Sequence, residues 1–555
     1  MQAWRPVCEH FALDFPNHFG FFFLQSIHSF QEGALIMNRR DVLKSSLLGA
    51  GAFAVGSSMA QQPDASDQKD LHIWPGIPRE LNGGKPPNIL WICPDMQRFD
   101  TIEGLNNDAI HTPNLRRLMA ESVTLTHTYV QNPVCSPSRA SFLTGRYPHT
   151  TGLRALGQRI RPDEELITKT LADAGYACGL SGKLHLSPTF GGRLEDRIDD
   201  GYSVFDWSHD ISNLWPGHNM WRVWLNEQGV KWPAPPKGND ALAWGVPIDP
   251  QYTQTAWCSD RAIQFIRGQR QFNPWLMSVN IFQPHAPYWP TEQYLDHYRP
   301  SDIPAPNYRE GELANKPIYQ QIDHRGASGG RDVSFADTSD AEHRKMKAAY
   351  YAMIEQVDTE VGRMLNALDD TGQAENTIVI YMSDHGEMLG DHGIFLKGPY
   401  FYEGAIRVPM IIRWPGKYKA GLKSDALVEM VDLAPTLLEA AGLPPTVGMQ
   451  GRSLTGLLTG QTTAHRDSIY CEYFDSLALY DPPPMAVCIR NQEYKLVYYQ
   501  KLAAGELYDL GKDPDETNNL WEEPGSRSTR AMMMELAVSR MVDTVDPRPE
   551  RKCMW

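Results

Sequence analysis

Cysteine is scarce in this chain: eight in 555 residues, with no Cys-x-x-Cys pair. That excludes a disulfide framework, a zinc ribbon and an iron–sulfur motif, so each cysteine has to be read alone. Long apolar runs are missing as well; no stretch of eighteen or more apolar residues occurs, which argues against an integral membrane segment. Positive charge is in deficit, 52 Lys plus Arg against 67 Asp plus Glu, for a formal charge of -15. A chain of that sign is a poor partner for nucleic acid or an anionic membrane surface, although a local cationic pocket is compatible with it. No internal repeat is evident. What is present is ordinary for a globular protein, with 42% hydrophobic and 21% charged residues and enough length for several domains around a large core.

The N-terminus carries an address. Asn38-Arg39-Arg40-Asp41-Val42-Leu43-Lys44 precedes a weakly apolar run from Leu47 to Val55 and the small residues Ser58-Met59-Ala60. This order resembles a twin-arginine signal over residues 37–60, and implies the twin-arginine export machinery as a partner and a periplasmic or secreted mature protein. A short buried helix behind a surface arginine pair is the alternative, weakened by Gly49, Gly51 and Gly56. Met37 directly precedes the signal, so residues 1–36 read as an upstream extension.

Asn88-Ile89-Leu90-Trp91-Ile92-Cys93 follows Gly83-Gly84 and Pro86-Pro87 and reads as a buried strand, with Asp95 at its carboxyl end. Ile378-Val379-Ile380-Tyr381-Met382 reads the same way and runs into Ser383-Asp384-His385-Gly386. Two buried strands thus deliver acidic residues where open α/β sheets place ligands. Between them Tyr350, Met353, Ile354, Val357, Val361, Met364, Leu365 and Leu368 recur at helical spacing. The alternation predicts an α/β catalytic domain over residues 86–464. From Trp207 to Trp257, which holds seven of the fifteen tryptophans, no steady period appears and long loops are expected. Trp215, Trp221, Trp224 and Trp232 would pack within those loops or stack on sugar faces. Residues 465–555 read as a smaller C-terminal subdomain, with a hairpin from Ala486–Arg490 to Tyr494–Tyr499 and a closing helix near Arg530 to Val542. Asp513-x-Asp515-x-Thr517 lacks the glycine and terminal glutamate of an EF-hand loop and reads as a turn.

Pro133-Val134-Cys135-Ser136-Pro137-Ser138-Arg139-Ala140-Ser141-Phe142-Leu143-Thr144-Gly145 has the grammar of a helix, with Pro137 in the first turn and Gly145 at the stop. Cys135 would then sit at an exposed helix N-terminus beside Arg139, where an anion is favoured and a thiol ionises readily; a structural buried cysteine is the alternative.

The same thirteen residues resemble the signature of formylglycine-dependent sulfatases of the alkaline-phosphatase superfamily, in which the cysteine of Cys-x-Pro-Ser-Arg is oxidised to formylglycine. Further motifs of that family follow in order: Asn88 to Arg98, Thr112-Pro113-Asn114-Leu115, Gly182-Lys183-Leu184-His185, Gln283-Pro284-His285-Ala286-Pro287, Ser383-Asp384-His385-Gly386-Glu387, and Lys397-Gly398-Pro399-Tyr400 through Glu403 to Arg407-Val408-Pro409. The resemblance spans roughly residues 86 to 525 and implies an alkaline-phosphatase-like central mixed sheet flanked by helices, with a smaller C-terminal antiparallel sheet plus helix.

It also implies a chemistry. Sulfate-ester hydrolysis needs a nucleophile, cations for the sulfuryl oxygens, an acid for the leaving alcohol and a base to reset the enzyme. Hydrated formylglycine at position 135 carries two hydroxyls, one to attack sulfur and one to collapse later and expel sulfate. By the resemblance, Asp95, Asp384, His385 and the modified Cys135 hold a divalent metal, calcium. Arg139, Lys183 and Lys397 match positions that hold the aldehyde hydrate or the sulfate. His285 would protonate the leaving oxygen with help from Lys397, and His185 would deprotonate the second hydroxyl. Met96 departs from the Asp or Gln of many relatives; a thioether is a poor ligand for a hard cation, so water or fewer ligands would complete the shell. The implied partners are a sulfated carbohydrate or another sulfate ester, and a formylglycine-generating maturase. Two rival functions share the sequence: a phosphonate or phosphate-diester hydrolase of the same superfamily, opposed by the Lys183-x-His185 pair, and an inactive glycan-binding relative, supported by Met96.

Overall fold

The computed structural model describes residues 85–548, apart from residues 106, 190, 191, 213, 216, 270–272 and 503. The signal around Arg39-Arg40 and the upstream extension lie outside the described residues. Nine strands form the large sheet: β1 (Asn88–Ile92), β2 (Val123–Tyr129), β3 (Ala177–Gly182), β4 (Val204–Trp207), β5 (Trp275–Asn280), β6 (Thr377–Met382), β7 (Arg407–Val408), β8 (Met410–Arg413) and β9 (Leu422–Glu429). They run in the order β4-β3-β5-β1-β6-β8-β2-β7, with β9 alongside β2. From β4 to β6 the neighbours are parallel; β8 joins antiparallel to β6, and β2 antiparallel to β8.

Every residue of β1, β5 and β6 is buried, as expected of parallel strands covered on both faces. Alternation along β1 shows the two layers. Ile89 and Trp91 point into a core shared with Ala140 and Phe142, while Leu90 and Ile92 point into one shared with Val357, Val361 and Leu365. The first group of partners comes from α2 (Cys135–Thr144), the second from the 31-residue α4 (Asp340–Asp370). α3 (Gln254–Gly268) lies on the α4 side. The apolar stripe from Tyr350 to Leu368 marks only the later part of α4; its first turns are polar and are started by a capping box between Ser339 and Glu342. α1 (Pro113–Ala120) begins at the Thr112-Pro113 motif, and its first N–H groups are capped from α4, where the Asp358 carboxylate accepts from Asn114 N at 3.1 Å and Leu115 N at 2.6 Å.

The expectation of uninterrupted loops between Trp207 and Trp257 is corrected: a helix spans Met220–Glu227 and α3 begins at Gln254. Eight residues are too few for a helical period to register, and the start is fixed instead by Asn219, whose side chain accepts from Arg222 N. The C-terminal chain forms an antiparallel sheet, β10 (Ile469–Phe474), β11 (Met485–Arg490), β12 (Tyr494–Tyr499) and β13 (Gly505–Asp509), closed by α5 (Arg527–Asp543). Ile489, Leu496 and Leu507 pack on Met533 and Ala537 of α5. The opposite face, with Cys471, Cys488 and Val497, joins the same apolar core as Trp91 and Phe142. Asp513 forms a turn, its carboxylate accepting from Thr517 N and Asn518 N. No described helix is long and apolar enough to cross a membrane.

Candidate active site

Four parallel strands deliver side chains to one edge. Asp95 follows β1, Lys183 and His185 follow β3, His285 follows β5, and Asp384 and His385 follow β6. Lys183 is placed by Gly182, which has φ +99° and so little room that a Cβ would lie 1.9 Å from Asn280 O; Lys183 N then donates to that same carbonyl at 3.1 Å. His185 also has positive φ, 66°, and its N–H is held by Glu195 Oε1 at 2.8 Å. Cys135 is the first residue of α2, and Arg139 lies one turn further along. The helix stops at Gly145, left-handed at φ 67°.

These residues converge. Arg139 Nε donates to Asp384 Oδ2 at 2.9 Å and its Nη1 to Lys183 O at 3.1 Å. Lys183 Nζ donates to Asp95 Oδ2 at 2.6 Å. Lys397 Nζ lies 2.8 Å from His285 Nε2, 3.3 Å from His385 Nε2 and 3.7 Å from Cys135 Sγ. His285 Nδ1 donates to Ala286 O at 2.7 Å and His385 Nδ1 to Gly386 O at 2.8 Å. A carbonyl can only accept, so both imidazoles carry their proton on Nδ1 and turn the Nε2 lone pair toward Lys397.

The electrostatics favour an anion at position 135. Burial alone would raise the Cys135 thiol, but Lys183, Lys397 and His385 outweigh it and bring it down to about 6. Burial also opposes ionisation of Asp95, yet the charged Lys183 and Arg139 hold that carboxyl well below its usual range. His185 and His285 are driven well below the ordinary imidazole value by burial and then by Lys183 and Lys397 respectively, so both are neutral bases. The expectation of an exposed helix start at Cys135 is corrected: the residue is 2% exposed and belongs to the same buried core as Trp91 and Phe142.

The cluster fits a cation. Asp95, Asp384 and His385 each offer a ligand atom, all within 4.8 Å of one another. Asp95 Oδ1 is buried without a hydrogen-bond partner among the described residues and faces His385 Nε2 at 3.6 Å. Carboxylate oxygen with a neutral imidazole whose other nitrogen is already anchored is a metal-binding donor set. Met96 adds no ligand oxygen. Its N–H donates to Asp384 Oδ1 at 3.0 Å and its Sδ lies 3.9 Å from Lys397 Nζ.

All nine sequence-expected residues, Asp95, Cys135, Arg139, Lys183, His185, His285, Asp384, His385 and Lys397, thus lie at this edge of the sheet. Sequence reasoning missed Ser138, whose hydroxyl donates to Asp384 O, and Glu195, which holds the N–H groups of His185 and Leu186 and the Trp207 indole. Ser138 lies within residues 135–145, where nothing in the spacing marks its hydroxyl; Glu195 sits in a charged loop with no spacing signal. Trp221 is fully buried and meets Trp232 edge to face at 5.1 Å, so this pair serves packing rather than sugar stacking. Trp215 packs on Trp207 at 5.9 Å, and Trp224 on Tyr252 at 6.1 Å.

A mixed sheet whose parallel strands gather, at their carboxyl ends, two carboxylates, a nucleophile at a helix start and a ring of cations defines a hydrolase of anionic esters with an alkaline-phosphatase-like fold. A family model described as "Sulfatase" matches residues 87–443, and one described as "N-sulphoglucosamine sulphohydrolase, C-terminal" matches residues 390–542. The chain belongs to the sulfatase family of the alkaline-phosphatase superfamily and is an enzyme of sulfate-ester hydrolysis. An arylsulfatase of Clostridium perfringens is 30% identical over 459 residues, covering 78% of this chain and 90% of the relative. An N-acetylglucosamine-6-O-sulfatase of Bacteroides thetaiotaomicron is 27% identical over 523 residues, covering 84% of this chain and 88% of the relative. Among solved structures, a phosphonate monoester hydrolase of Agrobacterium radiobacter has a TM-score of 0.71 at 26% identity, covering 83% of this chain and 97% of that one.

Proposed function

We propose that this sulfatase acts on a sulfated carbohydrate, with Cys135 oxidised to formylglycine and a calcium ion held by Asp95, Asp384, His385 and the modified residue. The observation that carries the reading is the buried cationic ring around position 135, in which Lys397 reaches Cys135 Sγ and Lys183 reaches Asp95. The Cys135 thiol stands where the hydroxyls of the formylglycine hydrate would lie. Formylglycine supplies one hydroxyl to attack sulfur and a second whose deprotonation frees sulfate. A divalent cation at the carboxylates would draw charge from a sulfate oxygen and favour the deprotonated nucleophile. The carbohydrate part of the reading is supported by similarity to the N-acetylglucosamine-6-O-sulfatase.

Within this reading the chain's own residues divide the work. Arg139 and Lys183 hold Asp384 and Asp95 in place and face the developing anionic charge. His285 is neutral with its Nε2 accepting from Lys397, so the proton for the leaving oxygen is shared between Lys397 Nζ and His285 Nε2 and is supplied by that pair. His185, also neutral, takes the proton of the second hydroxyl. Residues 86–464 carry the site and residues 465–555 form the C-terminal subdomain. A mature protein starting near Gln61, exported through the twin-arginine route to the periplasm or beyond, completes the proposal.

The phosphonate-hydrolase reading is favoured by one observation, the similarity to the Agrobacterium structure, and one experiment separates the two. Mass spectrometry of the peptide containing residue 135 is expected to show formylglycine, and desulfation of a panel of sulfated sugars is expected to require it. Because Cys135 is buried, Cys135→Ser is the variant of choice: it keeps the volume nearly unchanged and should abolish turnover while the protein still folds. Full activity in a Cys135→Ser protein whose residue 135 is shown by mass spectrometry to remain serine removes the mechanism; turnover confined to phosphonate or phosphate diesters assigns the enzyme to the rival reaction.

A further inference from the structure

We propose that His209 is the proton exit of His185, a positioning residue that takes the proton His185 collects and passes it to the partly exposed Asp210. The proposal rests on the assignment of His185 to the second, sulfate-releasing half of the reaction. The two imidazoles meet edge to face, ring centroids 4.7 Å apart at 84°. His185 Nδ1 is buried and has no hydrogen-bond partner among the described residues; the same holds for both ring nitrogens of His209. Two buried ring nitrogens with no partner, and a third with only a 3.5 Å ion-pair contact, are costly, and such groups are ordinarily joined by ordered water. His209 is walled by Trp215 at 4.7 Å and Trp207 at 5.9 Å, which leaves it little freedom to turn away. On its outer side, Nδ1 lies 3.5 Å from Asp210 Oδ2, and the Asp210 side chain is 19% exposed.

The charges around the pair give the transfer a direction. Burial and then Lys183, His209 when protonated, and Arg139 all oppose a charge on His185, partly offset by Asp95, so a proton does not rest there. Glu195 stands at the His185 backbone, and Asp210 lies at the outer end with Arg222 as a cation near it. A proton arriving on His185 is therefore repelled from the cationic interior and drawn outward. His185 accepts the hydroxyl proton on one ring nitrogen and gives the proton of the other, through a bridging water, to His209. His209 repeats the exchange toward Asp210 and bulk water. Each imidazole ends neutral, one proton has left, and no oxidant or further reactant is needed.

The test uses 4-nitrophenyl sulfate and full-length enzyme with residue 135 verified as oxidised. His209→Phe keeps a ring between Trp207 and Trp215 but cannot carry a proton; His209→Gln, measured in parallel, covers the case in which the phenyl ring disturbs folding. Both are expected to release the first equivalent of nitrophenol at the wild-type rate and then turn over about tenfold more slowly, with KM little changed. Added imidazole should restore the steady rate, a response that lost packing does not give. Wild-type turnover in both variants, or equal loss of the first and later turnovers without rescue, overturns the proton exit. His185→Ala is the control: absence of a burst from that variant overturns the assignment of His185, and the exit with it, whereas a burst there with unaffected His209 variants overturns the exit alone.

Discussion

At the level of single side chains, Lys397 Nζ lies 2.8 Å from His285 Nε2, and in the proposed mechanism this contact would set where the leaving-group proton waits. Poor leaving groups such as sugar alcohols need that proton in the transition state, and nitrophenolate does not. His285→Ala is therefore expected to lose about 10²–10⁴-fold in kcat/KM on sugar sulfates and far less on 4-nitrophenyl sulfate. Equal losses across aryl sulfates of graded leaving-group pKa would show that His285 binds sulfate rather than donating a proton. Met96 poses a second question at the same scale. Its thioether, 3.9 Å from Lys397 Nζ, would leave a cation at Asp95, Asp384 and His385 with fewer hard ligands than an aspartate would. Met96→Asp is expected to tighten calcium binding, measured by competition with a chromophoric chelator, and to lower activity because the new carboxylate also pairs with Lys397. Unchanged affinity would place position 96 outside the ion's reach.

At the level of elements, His149 ties the turn after α2 to the C-terminal sheet and helix. Its Nδ1 donates to Glu472 Oε2 of β10 at 2.7 Å and its Nε2 to Thr544 O, just past α5, at 2.9 Å. Neither acceptor can donate, so the geometry calls for the imidazolium. Burial works against that charge, but Glu472 outweighs it and raises His149 above 6.5. A raised folded-state value means that the clamp stabilises fully below about pH 6.5 and is lost as pH rises through the folded value. The wild-type Tm should fall between pH 6 and 9 by an amount absent from His149→Gln, which should itself cost about 2 kcal/mol at pH 6. A pH-independent gap between the two proteins would mean that His149 acts through packing. None of this clamp was legible in the sequence, since a lone histidine after Tyr147-Pro148 has no periodic partner; Glu472 and Thr544 are hundreds of residues away. β1 and β6 were legible because each is an unbroken apolar run bounded by turn formers and followed by acidic residues. The site residues were legible as motifs of fixed spacing. The depth of Cys135, the polar start of α4 and the contact between His185 and His209 were not, because each depends on how loops from separate strands pack.

At the level of the whole molecule, a charge of -15 surrounds a site built to hold an anion. Locally the cations are balanced: Lys183 pairs with Asp95, and Arg139 with Asp384. At long range an approaching substrate therefore meets net negative charge before it meets Lys397. A small monosulfated sugar carries too little charge to feel much of this, whereas a polysulfated glycan is repelled along its length. Screening acts on the two differently, since the Debye length falls from about 30 Å at 0.01 M salt to about 8 Å at 0.15 M. Over that range kcat/KM on a polysulfated glycan is expected to rise several-fold, while the value for a monosulfated sugar stays nearly level or declines slightly. Steady-state rates at fixed pH and fixed calcium, with sodium chloride as the variable, measure both. A fall in the polymer rate with salt would reveal an attractive surface track leading to the site, and would make the enzyme's acidic net charge irrelevant to how it meets its substrate.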